Sequence, residues 1–251
     1  IPNPFSLSGN YTLNLDTPIS ATGNWTITSG SALSHNVNYN SETYKLNLTL
    51  NGNLTINSGG AINVDGMGFT GGQGPGTSAT YWDGASYGGR GGDKFADYTV
   101  GPTYGSVTNP TSLGSGGYYT AGGGAIIISS TGTVTVNGTI SANGVSNYFN
   151  GGAGGTVNIT AATLAGSGTI RANGGVAHEG GCGGGGRIAI IQTTGTSWTP
   201  TIQAFGGYAT YNGPVGAAGT IYLKDANDAA GAGELIIDNN DVAASYNALT
   251  E

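Results

Sequence analysis

The stretch Gly124-Ala125-Ile126-Ile127-Ile128, followed by Gly138-Thr139-Ile140-Ser141-Ala142-Asn143-Gly144, returns as Gly155-Thr156-Val157-Asn158-Ile159 with Gly168-Thr169-Ile170-Arg171-Ala172-Asn173-Gly174. It returns again as Gly186-Arg187-Ile188-Ala189-Ile190 with Pro200-Thr201-Ile202-Gln203-Ala204-Phe205-Gly206. A last pair is Gly219-Thr220-Ile221-Tyr222-Leu223 with Gly233-Glu234-Leu235-Ile236-Ile237-Asp238. The opening glycines step by 31, 31 and 33 residues. An earlier copy fits Leu46-Asn47-Leu48-Thr49-Leu50, followed by Gly60-Ala61-Ile62-Asn63-Val64-Asp65-Gly66. A period of this length marks a stacked array.

Within each unit the apolar residues alternate, as in Leu46, Leu48 and Leu50 or Val134 and Val136. Period two means short strands with one buried face. One unit cannot close a core, but stacked units bury a continuous apolar column, and their backbones pair at about 4.8 Å per step. The expectation is an all-β, right-handed parallel β-helix (a β-solenoid) with Gly-rich loop insertions, the hand following from the rule for βxβ crossovers. Glycine is expected to turn tight corners at φ > 0 and to let coils approach closely. The reading is of a single solenoid domain over 1–251, with 1–43 as N-terminal capping coils and 68–123 as one long Gly/Tyr-rich loop. The abrupt start and finish suggest a fragment of a larger protein.

Composition narrows the function. The 251 residues include 50 glycines but only 6 Lys+Arg against 13 Asp+Glu, a formal net charge of −7. So few basic side chains argue against nucleic acid, whose phosphates need clustered Lys and Arg, and against anionic membrane surfaces. No apolar run is long enough to span a bilayer. The single cysteine, Cys182, allows no internal disulfide and reads as a small packing residue.

The run Gly88-Gly89-Arg90-Gly91-Gly92, then Tyr104-Gly105-Ser106, Leu113-Gly114-Ser115-Gly116-Gly117 and Gly122-Gly123-Gly124-Ala125-Ile126 resembles a glycine-rich β-helical module. The resemblance continues through the Thr-Ile-x-Ala-Asn-Gly units, Gly183-Gly184-Gly185-Gly186-Arg187-Ile188-Ala189 and Gly219-Thr220-Ile221-Tyr222-Leu223-Lys224, covering roughly 44–240. Such modules occur in very large secreted or surface proteins of environmental bacteria, beside adhesive and carbohydrate-binding domains. The resemblance implies a fold and an extracellular or cell-surface location, with adjacent domains of the same protein as neighbours. It carries no catalytic residue set.

Six of the fourteen tyrosines lie in the long insertion. Tyr81, Trp82, Tyr87, Tyr98, Tyr104, Tyr118 and Tyr119 are therefore the candidate ligand-binding residues, since aromatic rings on Gly-rich segments offer broad contact to a sugar or a protein at little entropic cost. The alternative is that these rings form a small core for the loop itself. Weaker catalytic candidates for polysaccharide chemistry are Asp83, Asp93, His178, Glu179 and Arg90, because glycoside hydrolysis needs paired carboxylates and β-elimination a base. Asp83, Asp93 and Asp97 also offer hard oxygen ligands for Ca²⁺. Otherwise no cofactor is expected. Arg171 and Arg187 are expected to hydrogen-bond loop carbonyls, and His35 carries no partner signal. Sequons stand at Asn10, Asn24, Asn47, Asn53, Asn137 and Asn158. Thr133 and Thr135 do not predict a repeated threonine face. The leading expectation is a non-catalytic adhesive or carbohydrate-binding module; the alternatives are a polysaccharide-active β-helix and a plain structural stalk.

Overall fold

A computed structural model describes residues 3–97 and 99–243. The chain winds through β1 (Phe5–Leu7), β2 (Thr12–Asn14), β3 (Ile19–Thr22), β4 (Trp25–Ile27), β5 (Ala32–Ser34), β6 (Leu46–Asn51), β7 (Leu54–Ile56) and β8 (Ala61–Asn63). After the long insertion come β9 (Ala125–Ser130), β10 (Thr133–Val136), β11 (Thr139–Ser141), β12 (Thr156–Ala161), β13 (Thr163–Ala165) and β14 (Thr169–Arg171). The last are β15 (Arg187–Gln192), β16 (Thr201–Gln203), β17 (Thr220–Lys224) and β18 (Glu234–Ile236). From β1 to β15 successive strands visit three sheets in rotation, ordered β1-β4-β7-β10-β13, β16-β14-β11-β8-β5-β2 and β18-β17-β15-β12-β9-β6-β3; after β15 the first sheet receives no further strand among the described residues. Every pairing between named strands is parallel except β17 with β18. The protein is an all-β parallel β-helix.

The alternation read from the sequence sets the register. Leu48, Ile128, Ile159, Ile190 and Leu223 stack in one column, and Leu33, Ile62, Ile140, Ile170 and Ile202 in another. A third column runs Trp25, Leu54, Val134, Leu164. All of these but Ile202 are buried, and together they make one continuous core. Residues 5–34 add strands to the same three sheets, so the N-terminal coils share the stack.

Side-chain ladders lock the corners. The Asn143 amide donates to Asp65 Oδ1 (2.6 Å), the Asn173 amide to Asn143 Oδ1 (2.8 Å) and the Phe205 amide to Asn173 Oδ1 (2.8 Å). This explains the recurring Ala-Asn-Gly: the Asn carbonyl satisfies the backbone donor of the next coil. Asn24 and Asn53 do the same for the amides of Asn53 and Thr133. Asn158 is buried, donating to Asn109 Oδ1 and the Pro110 carbonyl. With Asn137, whose Oδ1 accepts the Ser167 amide, four of the six sequons have their side chains in structural use.

Three expectations are revised. The segment Glu234–Ile236 does not stack as another coil; it folds back antiparallel on β17 and covers its edge. Thr26, Thr55 and Thr135 share one column, although the Thr-x-Thr pair itself does not recur in the next coil, where Thr133 faces Thr163 but Thr135 faces Ala165. His35 is buried, its Nδ1 hydrogen-bonded to the Asn36 carbonyl, and its Nε2 accepts the amide of Ala125, where the chain re-enters the stack.

The third concerns glycine. The Gly-rich excursions are extended segments packed side by side, not irregular loops. Successive amides of 181–186 point to three neighbours in strict rotation. Gly181 and Gly184 donate to Trp82 and Ala85, Cys182 and Gly185 to Pro214 and Ala217, and Gly183 and Gly186 to Gly175 and Ala172. Residues 151–155 behave alike: Gly151 and Gly154 donate to Gly181 and Gly184, Gly152 and Gly155 to Val145 and Ala142. A three-residue period without internal hydrogen bonds is that of a polyproline II-type helix. Glycine is required here by contact rather than by positive φ: a Cβ on Gly183 would collide with the carbonyl of Gly152, and one on Gly184 with that of Gly89. Positive φ is found instead at turn positions such as Gly30 and Gly59, and at the non-glycine residues Asn10, Ala96, Asn240 and Asp241. The 68–123 insertion joins this bundle through Ala85, and is closed at its base by the Gly124 amide on the Val64 carbonyl (2.8 Å).

Candidate functional site: an aromatic patch at the tips of the glycine segments

Each glycine segment begins just after a tip, and the tips carry rings at a repeated offset: Tyr118-Tyr119, Tyr148-Phe149, His178-Glu179 and Thr210-Tyr211. Stacking of the coils brings these tips together, as the parallel bridges Asn147–Ala177 and Ala177–Ala209 show. Tyr148 and His178 stack at 4.9 Å and 14°, and His178 and Tyr211 at 5.4 Å and 13°. Phe149 links this row to Tyr81 (6.1 Å), Trp82 (5.3 Å) and Tyr119 (6.1 Å), and Trp82 reaches Phe95 (6.4 Å). Tyr118 packs on Tyr119 at 4.8 Å. The result is one contiguous aromatic surface in which Tyr81, Phe95, Tyr118, Tyr119, Tyr148 and Tyr211 are exposed, Tyr211 at 72%. In proteins generally, contiguous exposed patches of this kind are enriched at interaction sites.

Four of the expected ligand-binding residues, Tyr81, Trp82, Tyr118 and Tyr119, sit in this patch. Tyr98 lies outside the described residues. Tyr87 and Tyr104 are elsewhere, against each other at 4.7 Å inside the insertion. Tyr87 is fully buried, with its hydroxyl on Thr156 Oγ1 (2.7 Å), and burial pushes its pKa up to about 12. The Tyr104 hydroxyl donates to the Leu113 carbonyl (2.6 Å). These two rings anchor the insertion on the sheet of β6, β9, β12 and β15, the role of a local core. Arg187 belongs to the same anchor: it is buried, its Nε donates to the Tyr104 carbonyl (2.8 Å), and its guanidinium carbon lies 5.6 Å from the Tyr87 ring centroid. Burial lowers its pKa. Arg171 differs from expectation, donating to the Ser141 hydroxyl of the preceding coil. Tyr148, Phe149 and Tyr211 were not among the expected binding residues, although the aromatic positions 30 to 33 residues apart before each glycine run signal them.

The carboxylates expected to do chemistry or bind metal fall beside the patch. Asp83, Asp93 and Asp97 converge, with ligand atoms all within 4.8 Å of one another. Asp83 and Asp93 are buried and Asp97 exposed. Asp83 Oδ2 accepts the hydroxyls of Thr80 (2.5 Å) and Thr99 (2.6 Å), and Oδ1 the Lys94 amide (2.8 Å). Asp97 Oδ1 lies 2.7 Å from the same Thr99 hydroxyl, whose single proton the two carboxylates share. Glu179 accepts the Tyr148 hydroxyl (2.7 Å), which raises the tyrosine's pKa. Lys94 Nζ donates to the carbonyls of Glu179 (2.6 Å) and Asn212 (3.0 Å), and Arg90 to that of Val100 (3.1 Å). These hydrogen bonds tie Thr80, Asp83, Lys94 and Thr99 to one another and to the tips at Glu179 and Asn212. Cys182 is buried in the glycine bundle, its pKa raised by burial to about 11, as suits an inert thiol.

Fold and site together define a parallel β-helix with a flanking glycine bundle that displays an exposed aromatic patch. Compared with known proteins, the chain matches no family model, no curated protein and no solved structure.

Proposed function

We propose that the chain is a non-catalytic, extracellular or cell-surface binding module whose aromatic patch engages carbohydrate. One observation carries this reading. Rings from six separate tips (81–82, 95, 118–119, 148–149, 178 and 211) meet in one exposed surface. A loop core would hide its rings, as it hides Tyr87; in the patch Tyr81, Phe95, Tyr118, Tyr119, Tyr148 and Tyr211 stay in water, where a bound apolar face would recover the cost of their exposure. The tips also carry Asn147, Thr210 and Asn212, amides and hydroxyls suited to sugar hydroxyls. A glycan array tests the reading: retention on neutral polysaccharides that is lost in a Tyr119→Ala, Tyr148→Ala double variant supports it. Retention of a surface protein and of no glycan replaces carbohydrate by a protein partner, and no retention at all leaves the structural stalk.

The polysaccharide-active alternative has less support, because Asp83 and Asp93 are buried and every oxygen of Asp83 is engaged by protein donors. A calcium ion at Asp83, Asp93 and Asp97 is an accessory part of the proposal. It is supported by the convergence of three carboxylates, two of them buried, and it would act by holding residues 83, 93 and 97 together.

A further inference from the structure

The geometry points to a second, smaller contact at the end of the aromatic row: a recess that takes one uncharged sugar ring of the glycan. This rests on the carbohydrate reading of the patch and names the ligand class more closely. The recess encloses about 210 Å³ and is lined by Asn173, Val176, Phe205, Tyr208 and Asn240 with the glycine backbone of 174 and 206–207. It is smaller than the roughly 300–1,000 Å³ of pockets for drug-sized ligands, so it has room for a single ring. Two aromatic walls and two amides are the chemistry of a pyranose site, with apolar faces for C–H groups and amides for hydroxyls. Asn173 spends its carbonyl on the Phe205 amide (2.8 Å), which leaves its NH₂ as a donor at the recess. Val176 and Tyr208 line the recess while His178 and Tyr211, two and three residues further along, stack in the row. The Ala177–Ala209 bridge holds these segments side by side, so the recess continues the patch.

Charge decides the class of sugar. None of the six cationic side chains lines the recess, and each is engaged elsewhere: Lys45 with Glu42, Arg90 with Val100, Lys94 with Glu179 and Asn212, Arg171 with Ser141, Arg187 with Tyr104, and Lys224 with Asp228. Asp238 accepts the Asn240 amide (2.8 Å), placing a carboxylate at the rim. An anionic sugar would meet no cation and one nearby like charge. Neutral hexosides fit, and uronates, sialosides and sugar phosphates do not.

Saturation-transfer NMR and calorimetry with neutral methyl glycosides, methyl uronates as free acids and a neutral oligosaccharide test this on the full chain. The variants are Tyr208→Ala, Asn240→Gly (which keeps the positive φ of 54° available) and Tyr119→Ala. The expected result is binding of a neutral glycoside weakened at least about tenfold by Tyr208→Ala and by Asn240→Gly. Tyr119→Ala is expected to weaken the oligosaccharide, and to cost the methyl glycoside less affinity than Tyr208→Ala does. Oligosaccharide binding that depends on Tyr119 but not on Tyr208 or Asn240 overturns the recess and spares the patch. Preference for the charged sugar overturns the neutral class. Absence of any saccharide binding overturns both readings.

Discussion

Leu48 and Ile128 lie directly opposite each other on parallel strands although 80 residues separate them, while Ile128 and Ile159 make the same pairing across 31. The stack therefore passes over the whole insertion without losing register. Both side chains of the first pair are buried, in the middle of the column. Ile128→Ala is expected to cost about 2–5 kcal/mol in a urea or thermal unfolding experiment. Leu235→Ala, at an exposed position on the covering strand, is expected to stay within about 0.5 kcal/mol of wild type.

The glycine bundle makes a prediction of the opposite kind, in which adding one methyl group is harmful. Gly183→Ala and Gly184→Ala place a Cβ on a neighbouring carbonyl and should each destabilise by about 1–3 kcal/mol or prevent folding. Ala153→Gly, at a buried position where the bundle already accepts a methyl group, should cost no more than about 1 kcal/mol. Equal effects of the three in thermal melts would refute the close-packed bundle.

His35 gives a pH dependence. Burial lowers its pKa below the ordinary value of 6.5, outweighing its hydrogen bond to Asn36 and the attraction of Asp16. The unfolded chain binds the proton more readily, so this contribution to stability is present above about pH 6.5 and is lost as the pH falls below it. Melting temperature should therefore drop between pH 7.5 and 5. In His35→Gln, whose amide oxygen can still accept the Ala125 N–H, that drop should shrink. An unchanged pH profile in the variant would remove His35 as its source.

The Asp83, Asp93, Asp97 cluster predicts a response to calcium. A site at one hundred times its dissociation constant would add about 2.7 kcal/mol to stability. Millimolar Ca²⁺ should raise the melting temperature relative to a chelated sample, and Asp97→Asn should reduce the increment. Identical melts with Ca²⁺ and with chelator would reduce the cluster to hydrogen bonding.

The solenoid was legible because its signal is local and repeated. Alternation in Leu46–Leu50 and Val134–Val136 shows the buried face, and the 31-residue steps show the stacking. The glycine bundle was not, because its hydrogen bonds join segments such as 82–85 and 181–184, whose pairing depends on a three-residue rotation that no side-chain pattern records. Half of the patch was visible in the insertion, where Tyr81, Trp82, Tyr118 and Tyr119 cluster along the chain. Phe149 and Tyr211 reach it only through the register of the coils. Tyr87 and Tyr104 look like their neighbours in composition, and only the placement of Thr156 and Arg187 beside them makes them interior.

The most direct test of the account is titration of a neutral polysaccharide into wild type and into the Tyr119→Ala, Tyr148→Ala variant, with the melting temperature of each recorded alongside. Both side chains are exposed, so the account predicts nearly unchanged melting and a loss of binding of at least about tenfold. Equal binding by the two proteins, at equal stability, would contradict it.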